Sequence, residues 1–285
     1  MNYGKIFAKI RKSRHVSQQN VSKRVIAQSI LSRFENNGNI DAKVLMSLLY
    51  KLHVHPTEFF MLAEDKQFVD EQNFINRSHS AFYNSSDNLL LVTEERLKFD
   101  ETDDMFYLMN AVRIEATYAF KHGQDYSHLK TDITAIKQYL MELDYWFISE
   151  ISIYSDLLFL FDSAFIKAQH PRMVRSLALL PFGTSQRSYL QSAYSHNATV
   201  VSFEHDKLED TALYLAYFES TLTKDSRSLT NAIYYSAYQQ LWSLKNNFSQ
   251  KNLENLFQNI YILKQYGYDE EYRELKKFIV KILYS

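Results

Sequence analysis

The chain has 285 residues, of which 46% are hydrophobic and 15% aromatic, and it contains five Gly, three Pro and no Cys. This composition excludes a disordered chain, a disulfide framework and thiol catalysis, and the scarcity of helix breakers favours an all-α protein. The net charge of −1 divides into +5 over residues 1–65 and −6 over the remainder. A polyanionic partner is therefore expected for the N-terminal part alone.

Five short helices are predicted in residues 1–65. They cover residues 3–14, 18–24, 27–37, 42–52 and 58–62. Ser17, Asp41 and Thr57 are the predicted N-caps, since short polar side chains accept hydrogen bonds from first-turn amides. Asn37–Gly38–Asn39 ends the third helix. Because only Val25–Ile26 separates the second helix from the third, the pair is predicted to form a helix-turn-helix.

The segment Ala27–Asn37 is predicted to lie in a DNA groove. Its polar side offers short donors and acceptors and an Arg able to bind a guanine edge, as base contacts require. These candidates are Gln28, Ser29, Ser32 and Arg33. Ile30, Leu31 and Phe34 are predicted to face the core. Candidate phosphate contacts are Lys12, Gln18, Lys23 and Arg24. In the alternative interpretation, residues 1–65 form a helical oligomerisation or peptide-binding domain, and their basic side chains are ordinary solvated charges.

From residue 66 onward, apolar residues recur at helical spacing between short polar breaks. The predicted helices are 66–83, 87–100, 103–122, 128–144, 149–168, 170–181, 186–202, 206–223, 226–245, 249–266 and 268–283. The predicted breaks lie at 84–87, 122–126, His170–Pro171, 181–184, 223–226, 246–249 and Gly267. Helix pairs every 35 to 45 residues predict a solenoid of TPR-like hairpins. The strict TPR signature is absent, so one irregular bundle remains an alternative. The last helix can cap the solenoid or exchange between protomers.

The order of segments at the N-terminus carries a family resemblance. Helix 1 is followed by SQQNVSKR, a turn, SILSRFE and a helix with paired leucines. Over residues 3–63 this order resembles the XRE family of helix-turn-helix regulators, which implies a lambda-repressor-like DNA-binding domain. The resemblance also implies a DNA contact near the backbone for Gln18 and a buried structural salt bridge between Arg11 and Glu35. The Ala usual in helix 2 is here replaced near Ser22.

The whole chain resembles the Rgg regulators of the peptide-responsive RRNPP class. In the body, Tyr154–Phe165 reads YSDLLFLFDSAF and has Asp162 where Rgg proteins are expected to have Asn. The resemblance implies a homodimer whose residues 1–65 bind double-stranded promoter DNA and whose residues 66–285 bind a short signalling peptide and dimerise. Without Cys, packing alone would hold this dimer. The alternative is a regulator whose repeats hold a protein partner, as in toxin-antitoxin or scaffold systems.

Peptide-binding candidates follow from chemistry, because an extended peptide needs amides for its backbone, charges for its ends and apolar pockets. The candidates are Asn110, Arg113, Asp162, Phe165, Tyr189, Tyr194, Asn231, Tyr234, Tyr235 and Tyr238. Aromatic residues at helical spacing are more often core residues than ligand contacts. His205, between Glu204 and Asp206, is either a pH-sensitive group or a surface histidine.

The sequence lacks the common catalytic signatures. It contains no His-Glu-x-x-His, no Gly-rich phosphate loop and no Gly-x-Ser-x-Gly elbow, and metal-ligand spacing is also missing. We therefore expect neither an enzyme nor a metal or other cofactor. The N-terminus has no signal-peptide apolar run, and no apolar segment approaches the roughly 18 residues of a membrane span. A cytoplasmic protein without a membrane partner is expected.

Overall fold

The computed structural model describes residues 3–64, 66–180, 185–222 and 228–284. Within these ranges the chain is all-α, with sixteen α-helices and two short 3₁₀ segments. The chain divides into two compact units, Met1–Ser80 and Ala81–Ser285. Among the described residues, no helix is long and apolar enough to cross a membrane.

The first unit is built from short helices close to the predicted ones. They are α1 (Tyr3–Ser13), α2 (Gln18–Ser22), α3 (Gln28–Glu35), α4 (Ala42–Lys51) and α5 (Pro56–Leu62), followed by α6 (Lys66–Ala81). Ser17 and Asp41 cap α2 and α4 as predicted. Helix α2 ends two residues early, because Arg24 adopts a left-handed backbone with φ of 63°.

The predicted Thr57 cap of α5 is wrong. His55 is the N-cap, and its Nδ1 accepts a hydrogen bond from the Thr57 amide at 3.3 Å. The Glu58 carboxylate in turn accepts from the His55 amide at 2.9 Å, which completes a capping box. Pro56 starts the helix earlier than predicted, because its fixed φ suits the first helical position and it has no amide to satisfy there.

The core of the first unit is a single apolar cluster between α1, α3, α4 and α5. Phe7, Leu31, Leu48 and Phe59 are fully buried in it. Helices α1 and α3 approach so closely that a Cβ on Gly4 would lie 1.8 Å from the Phe34 carbonyl oxygen. A residue without a side chain is therefore needed where α1 supports α3.

The second unit contains ten helices over its described residues. They are α7 (Ser85–Thr102), α8 (Met105–Lys121), α9 (Lys130–Glu142), α10 (Ile148–Asp156), α11 (Ser163–Leu179), α12 (Ser185–Glu204), α13 (Leu208–Thr221), α14 (Leu229–Asn246), α15 (Gln250–Gln265) and α16 (Asp269–Tyr284). The 3₁₀ segments are Ser127–Leu129 and Leu158–Leu160. The predicted breaks at 181–184 and 223–226 lie outside the described residues.

The predicted helix 149–168 and the break at His170–Pro171 are wrong. Helix α10 ends at Asp156, and α11 begins after Asp162, whose carboxylate accepts from the Phe165 amide at 2.9 Å. Helix α11 then continues through Pro171. Proline inside a helix removes one backbone hydrogen bond, but buried Ile166 and Met173 on either side of it hold the helix in the core. Packing of α11 in the core here outweighs the tendency of proline to end a helix.

Five helices of the second unit form a continuous layer. Helices α8, α10, α12, α14 and α16 pack on one another in succession and are called the inner layer. Helices α7, α13 and α15 pack on their chain neighbours in that layer. Stacked helical hairpins of this kind are the predicted TPR-like repeat, which the structure confirms. Two apolar clusters fill it, one around Tyr154 and Tyr194 and the other around Phe218 and Tyr238.

Candidate nucleic-acid interface and inner layer of the repeats

Helix α3 presents a polar surface on the basic first unit. Gln28, Ser29 and Arg33 are exposed and Ser32 is half-buried, while Leu31 and Phe34 are buried. The four predicted base contacts thus lie on the side of α3 away from the core. Amide, hydroxyl and guanidinium groups there can donate to and accept from base edges.

One residue of α3 departs from the prediction. Ile30 was expected in the core but its exposed fraction is 44%. The residues that turn inward are Leu31, Phe34 and Glu35. Since successive helical residues are rotated by about 100°, Ile30 falls outside the arc that these three residues occupy.

The predicted phosphate contacts differ in their exposure. Lys12, Lys23 and Arg24 are exposed. Gln18 is half-buried, and its Nε2 donates to Glu35 Oε2 at 2.7 Å. Gln18 therefore already has one structural partner, although an amide nitrogen carries a second hydrogen that is able to reach a phosphate.

Arg11 and Glu35 form a buried bidentate salt bridge between α1 and α3. Arg11 Nε lies 2.6 Å from Glu35 Oε1 and Arg11 Nη2 lies 2.7 Å from Oε2, with side chains 8% and 5% exposed. Arg11 Nη1 also donates to the Val16 carbonyl at 2.7 Å. Burial alone would raise the pKa of Glu35, but the hydrogen bonds from Arg11 and Gln18 lower it below its usual value.

Three peptide-binding candidates are corrected by their burial. Asn110 is 2% exposed and donates to Glu95 Oε2 at 3.2 Å. Tyr194 is fully buried, and its hydroxyl lies 2.7 Å from His170 Nδ1. Tyr238 is 1% exposed, and its hydroxyl lies 3.1 Å from His196 Nδ1. All three are core residues with internal partners, so none can contact a ligand in this structure. Their helical spacing could not distinguish the core side from the open side.

The remaining peptide-binding candidates are spread over several surroundings. Tyr189 on α12 is exposed, whereas Tyr235 on α14 is half-buried with its ring 5.8 Å from that of Phe218. Phe165 packs at 5.1 Å on Phe161. The half-buried candidates also include Arg113, Asn231 and Tyr234. Asp162 is exposed, but it caps α11 and pairs with the Lys137 ammonium at 2.5 Å.

A row of polar side chains crosses four helices of the inner layer and is called the polar row. It consists of Arg113 on α8, Asp156 on α10, Asn197 on α12 and Asn231 on α14. Arg113 Nη1 lies 3.5 Å from Asp156 Oδ2, and burial raises the pKa of Asp156 although the Arg113 charge opposes this. Asn197 donates to the Ser155 carbonyl at 2.9 Å. Asn231 donates to Ser192 Oγ at 2.6 Å.

Asp156, Asn197 and His196 were not among the predicted candidates. The four-residue spacing of Tyr189, Ala193 and Asn197 marks the more exposed side of α12 and was the available signal for Asn197. His196 Nδ1 lies 3.1 Å from the Tyr238 hydroxyl. Burial lowers the pKa of His196 to about 4.

Arg113 Nε is buried and has no hydrogen-bond partner among the described residues.

The two acidic neighbours of His205 pair with lysines of other helices. His205 Nδ1 lies 2.7 Å from Ser163 Oγ. Glu204 pairs instead with Lys281 at 2.6 Å, and Asp206 pairs with Lys245 at 3.4 Å. Because both acids are directed to other helices, a histidine–carboxylate switch at this position is not formed.

A basic helix-turn-helix unit and a unit of stacked helical hairpins together define a class of transcriptional regulators. The sequence profile described as "HTH-type transcriptional regulator Rgg, C-terminal domain" matches residues 89–277. This match covers more than half of the chain, which therefore belongs to the Rgg family of transcriptional regulators. A search of curated protein sequences returned no significant match.

Solved structures share the fold over almost the whole chain. A candidate transcriptional regulator from Listeria monocytogenes EGD-e has a TM-score of 0.78 at 19% identity, covering 98% of each chain. The SHP pheromone receptor Rgg2 from Streptococcus dysgalactiae has a TM-score of 0.76 at 17% identity, covering 98% of this chain and 99% of its own. A bacterial peptide pheromone/receptor complex reaches 0.74 at 16% identity, covering 100% and 99%.

Proposed function

We propose that this Rgg-family regulator binds double-stranded promoter DNA through α3 and is controlled by a short signalling peptide bound on the inner layer. Residues 1–65 would serve as the DNA-binding domain and residues 66–285 as the peptide-binding and dimerisation domain. The proposal depends above all on the exposed polar side of α3 on a unit of net positive charge. A regulator that binds promoter DNA would act in the cytoplasm.

The assignment of α3 is tested by comparing two kinds of substitution. A duplex selected by the wild-type chain from a random-sequence pool serves as the probe. Gln28→Ala and Arg33→Ala should lower binding to it and reduce the preference over unrelated DNA, because base contacts carry sequence information. Lys23→Ala should weaken binding to all DNA sequences alike. Unchanged preference in both α3 variants, measured by mobility shift, would contradict the assignment.

Peptide control is supported by the two relatives described as a pheromone receptor and as a peptide pheromone/receptor complex. The polar row offers what an extended peptide backbone requires, namely two amides and a guanidinium. Arg113 is 14% exposed in its side chain, so a peptide carbonyl or carboxylate there would meet a poorly solvated cation.

The peptide site is tested by calorimetry of the full chain with a library of synthetic peptides of about eight residues, which reach roughly 26–29 Å in extended form. Arg113→Ala and Asn197→Ala should weaken the tightest binder at least tenfold. Arg175→Ala, an exposed arginine on α11 outside the inner layer, is the matched control and should bind normally. Silence of the wild-type chain across the library would contradict peptide control.

A homodimer would present two copies of α3 to DNA. Two helices related by a two-fold axis contact half-sites about 34 Å apart, or a multiple of that distance. The selected duplex should accordingly contain two related half-sites, and sedimentation should give twice the chain mass. A monomeric mass together with a single-site duplex would contradict the dimer.

A further inference from the structure

Ile30 is an exposed aliphatic residue within the polar surface of α3. It belongs to the first turn of the helix, directly after Gln28 and Ser29, and its exposed fraction is 44%. A single exposed aliphatic side chain is ordinary on a protein surface. Its location is specific here, because the first residues of such a helix are the ones that reach base edges.

The rotation of about 100° per residue fixes where Ile30 points. Leu31, Phe34 and Glu35 define the buried side of α3. Ser29 and Arg33 lie opposite to that side, and Gln28 and Ile30 lie on the two flanks between. A groove that receives Ser29 and Arg33 therefore meets an amide on one flank and a branched aliphatic side chain on the other.

The chemistry of the base edges decides what Ile30 can recognise. In the major groove, the thymine C5-methyl is the apolar group, whereas the other positions offer donors and acceptors. An aliphatic side chain pressed on those polar atoms would leave them without hydrogen bonds, at a cost in affinity. Against a thymine methyl, the same side chain removes apolar surface from water on both partners.

We propose that Ile30 is a specificity-determining residue that contacts a thymine methyl on the flank of α3 opposite Gln28. This inference rests on the proposed DNA binding by α3. It assigns Ile30 to base recognition, in contrast to the core position that its apolar character predicted.

The experiment removes the methyl group from the DNA and the aliphatic group from the protein in turn. In the duplex selected by the wild-type chain, each thymine is replaced singly by deoxyuridine, which lacks only the C5-methyl. Wild-type binding should fall about fourfold at one thymine in each half-site, as expected for losing one methyl-sized apolar contact. In Ile30→Ala the penalty at that position should vanish, and in Ile30→Val it should be intermediate.

Met46→Ala is the matched control, since Met46 is a similarly exposed apolar residue on the neighbouring α4, at 38%. It should keep the wild-type pattern of uracil penalties whatever its overall affinity. Far-UV circular dichroism checks that the Ile30 variants are folded. The inference is overturned if Ile30→Ala keeps the wild-type pattern of uracil penalties. It is also overturned if no deoxyuridine replacement weakens binding of the wild-type chain. Failure of the wild-type chain to select any duplex instead overturns the proposed DNA binding, and the inference with it.

Discussion

Glu35 is the only acidic residue among the first 40, which also contain eight lysines and arginines. Its carboxylate accepts from Arg11 in bidentate fashion and from Gln18, and so it joins α1, α2 and α3. A single buried carboxylate therefore satisfies the one arginine that points inward. Because α3 is the helix proposed to contact DNA bases, this ion pair helps to position the exposed residues of α3.

Replacing Glu35 by Gln should strongly destabilise the first unit. The variant leaves the Arg11 charge buried without a counter-charge, which costs roughly 3–5 kcal/mol. Amide hydrogen exchange in α1 and α3 would measure the loss. Asp70→Asn, at an exposed carboxylate of α6, is the control and should change exchange little. Protection in Glu35→Gln equal to that of the wild type would show that the pair contributes no stability.

The same pair predicts a pH dependence with a definite sign. The folded-state pKa of Glu35 is lowered below its ordinary value of 4.5. Its stabilising contribution is therefore complete above pH 4.5 and is lost as the pH falls through the folded-state pKa. Helix α1 and α3 amides should lose protection on acidification below pH 4.5 in the wild type, and the loss should be smaller in Glu35→Gln.

His196 predicts a second pH dependence, in the other unit. Burial between α12 and α14 lowers its folded-state pKa from 6.5 to about 4. Between these values the unfolded chain binds a proton that the folded chain does not, so the free energy of unfolding should fall as the pH drops from 6.5 to 4, by at most about 3 kcal/mol. Urea unfolding at several pH values would measure this slope.

His196→Gln should flatten that part of the pH profile, since the substituted side chain does not titrate. His122→Gln, at an exposed histidine at the end of α8, provides the comparison and should retain the wild-type slope. Equal slopes in all three chains would place the acid sensitivity elsewhere in the molecule.

At the scale of single elements, the junction between α10 and α11 is governed by Asp162. Its carboxylate caps α11 and also binds Lys137, which lowers the pKa of Asp162 below its usual value. Asn, expected at this position from the Rgg resemblance, is an equally good N-cap. The shared physical requirement is a short side-chain acceptor at the start of α11.

Substitutions at Asp162 should separate capping from charge. Asp162→Asn keeps the acceptor and should cost less than about 0.5 kcal/mol, because the Lys137 pair is exposed on the Asp162 side. Asp162→Ala removes the cap and should cost about 1 kcal/mol. Urea unfolding of both variants would test this order. A larger loss of stability in the Asn variant than in the Ala variant would mean that Asp162 stabilises the protein through its ion pair and not through its cap.

At the scale of the whole molecule, opposite charges are segregated along the chain, with +5 over residues 1–65 and −6 beyond them. Such a distribution directs a polyanion to one part of the chain and away from the other. Binding should consequently be strongest at low salt and should weaken steeply as salt is added, through release of counterions from the DNA.

Removing single cations should change that salt dependence in a graded way. Lys12→Ala and Lys23→Ala should each reduce the slope of log affinity against log salt by roughly 1 while sequence preference is kept. Lys277→Ala, at an exposed lysine of α16, should leave the slope unchanged. Fluorescence anisotropy with the selected duplex would measure all three. An unaltered slope in the Lys12 and Lys23 variants would exclude both as phosphate contacts.

The all-α class, the helix-turn-helix and nearly every helix of the repeats could be predicted from the sequence. Those features depend on local chemistry: apolar periodicity, N-caps such as Ser17 and Asp41, and the scarcity of glycine and proline. They can be predicted because each is encoded within a few turns of chain. The Rgg family resemblance, confirmed by the profile match over residues 89–277, follows the same order of segments.

Which side of each helix is covered depends on packing between distant parts of the chain. This packing buries Asn110 and Tyr194, leaves Ile30 exposed, brings Asp156 to Arg113 and carries α11 through Pro171. Helical spacing identifies a face but not the neighbour that covers it, because that neighbour comes from a distant part of the chain. Burial and pairing are therefore settled by packing between helices, which a local pattern does not contain.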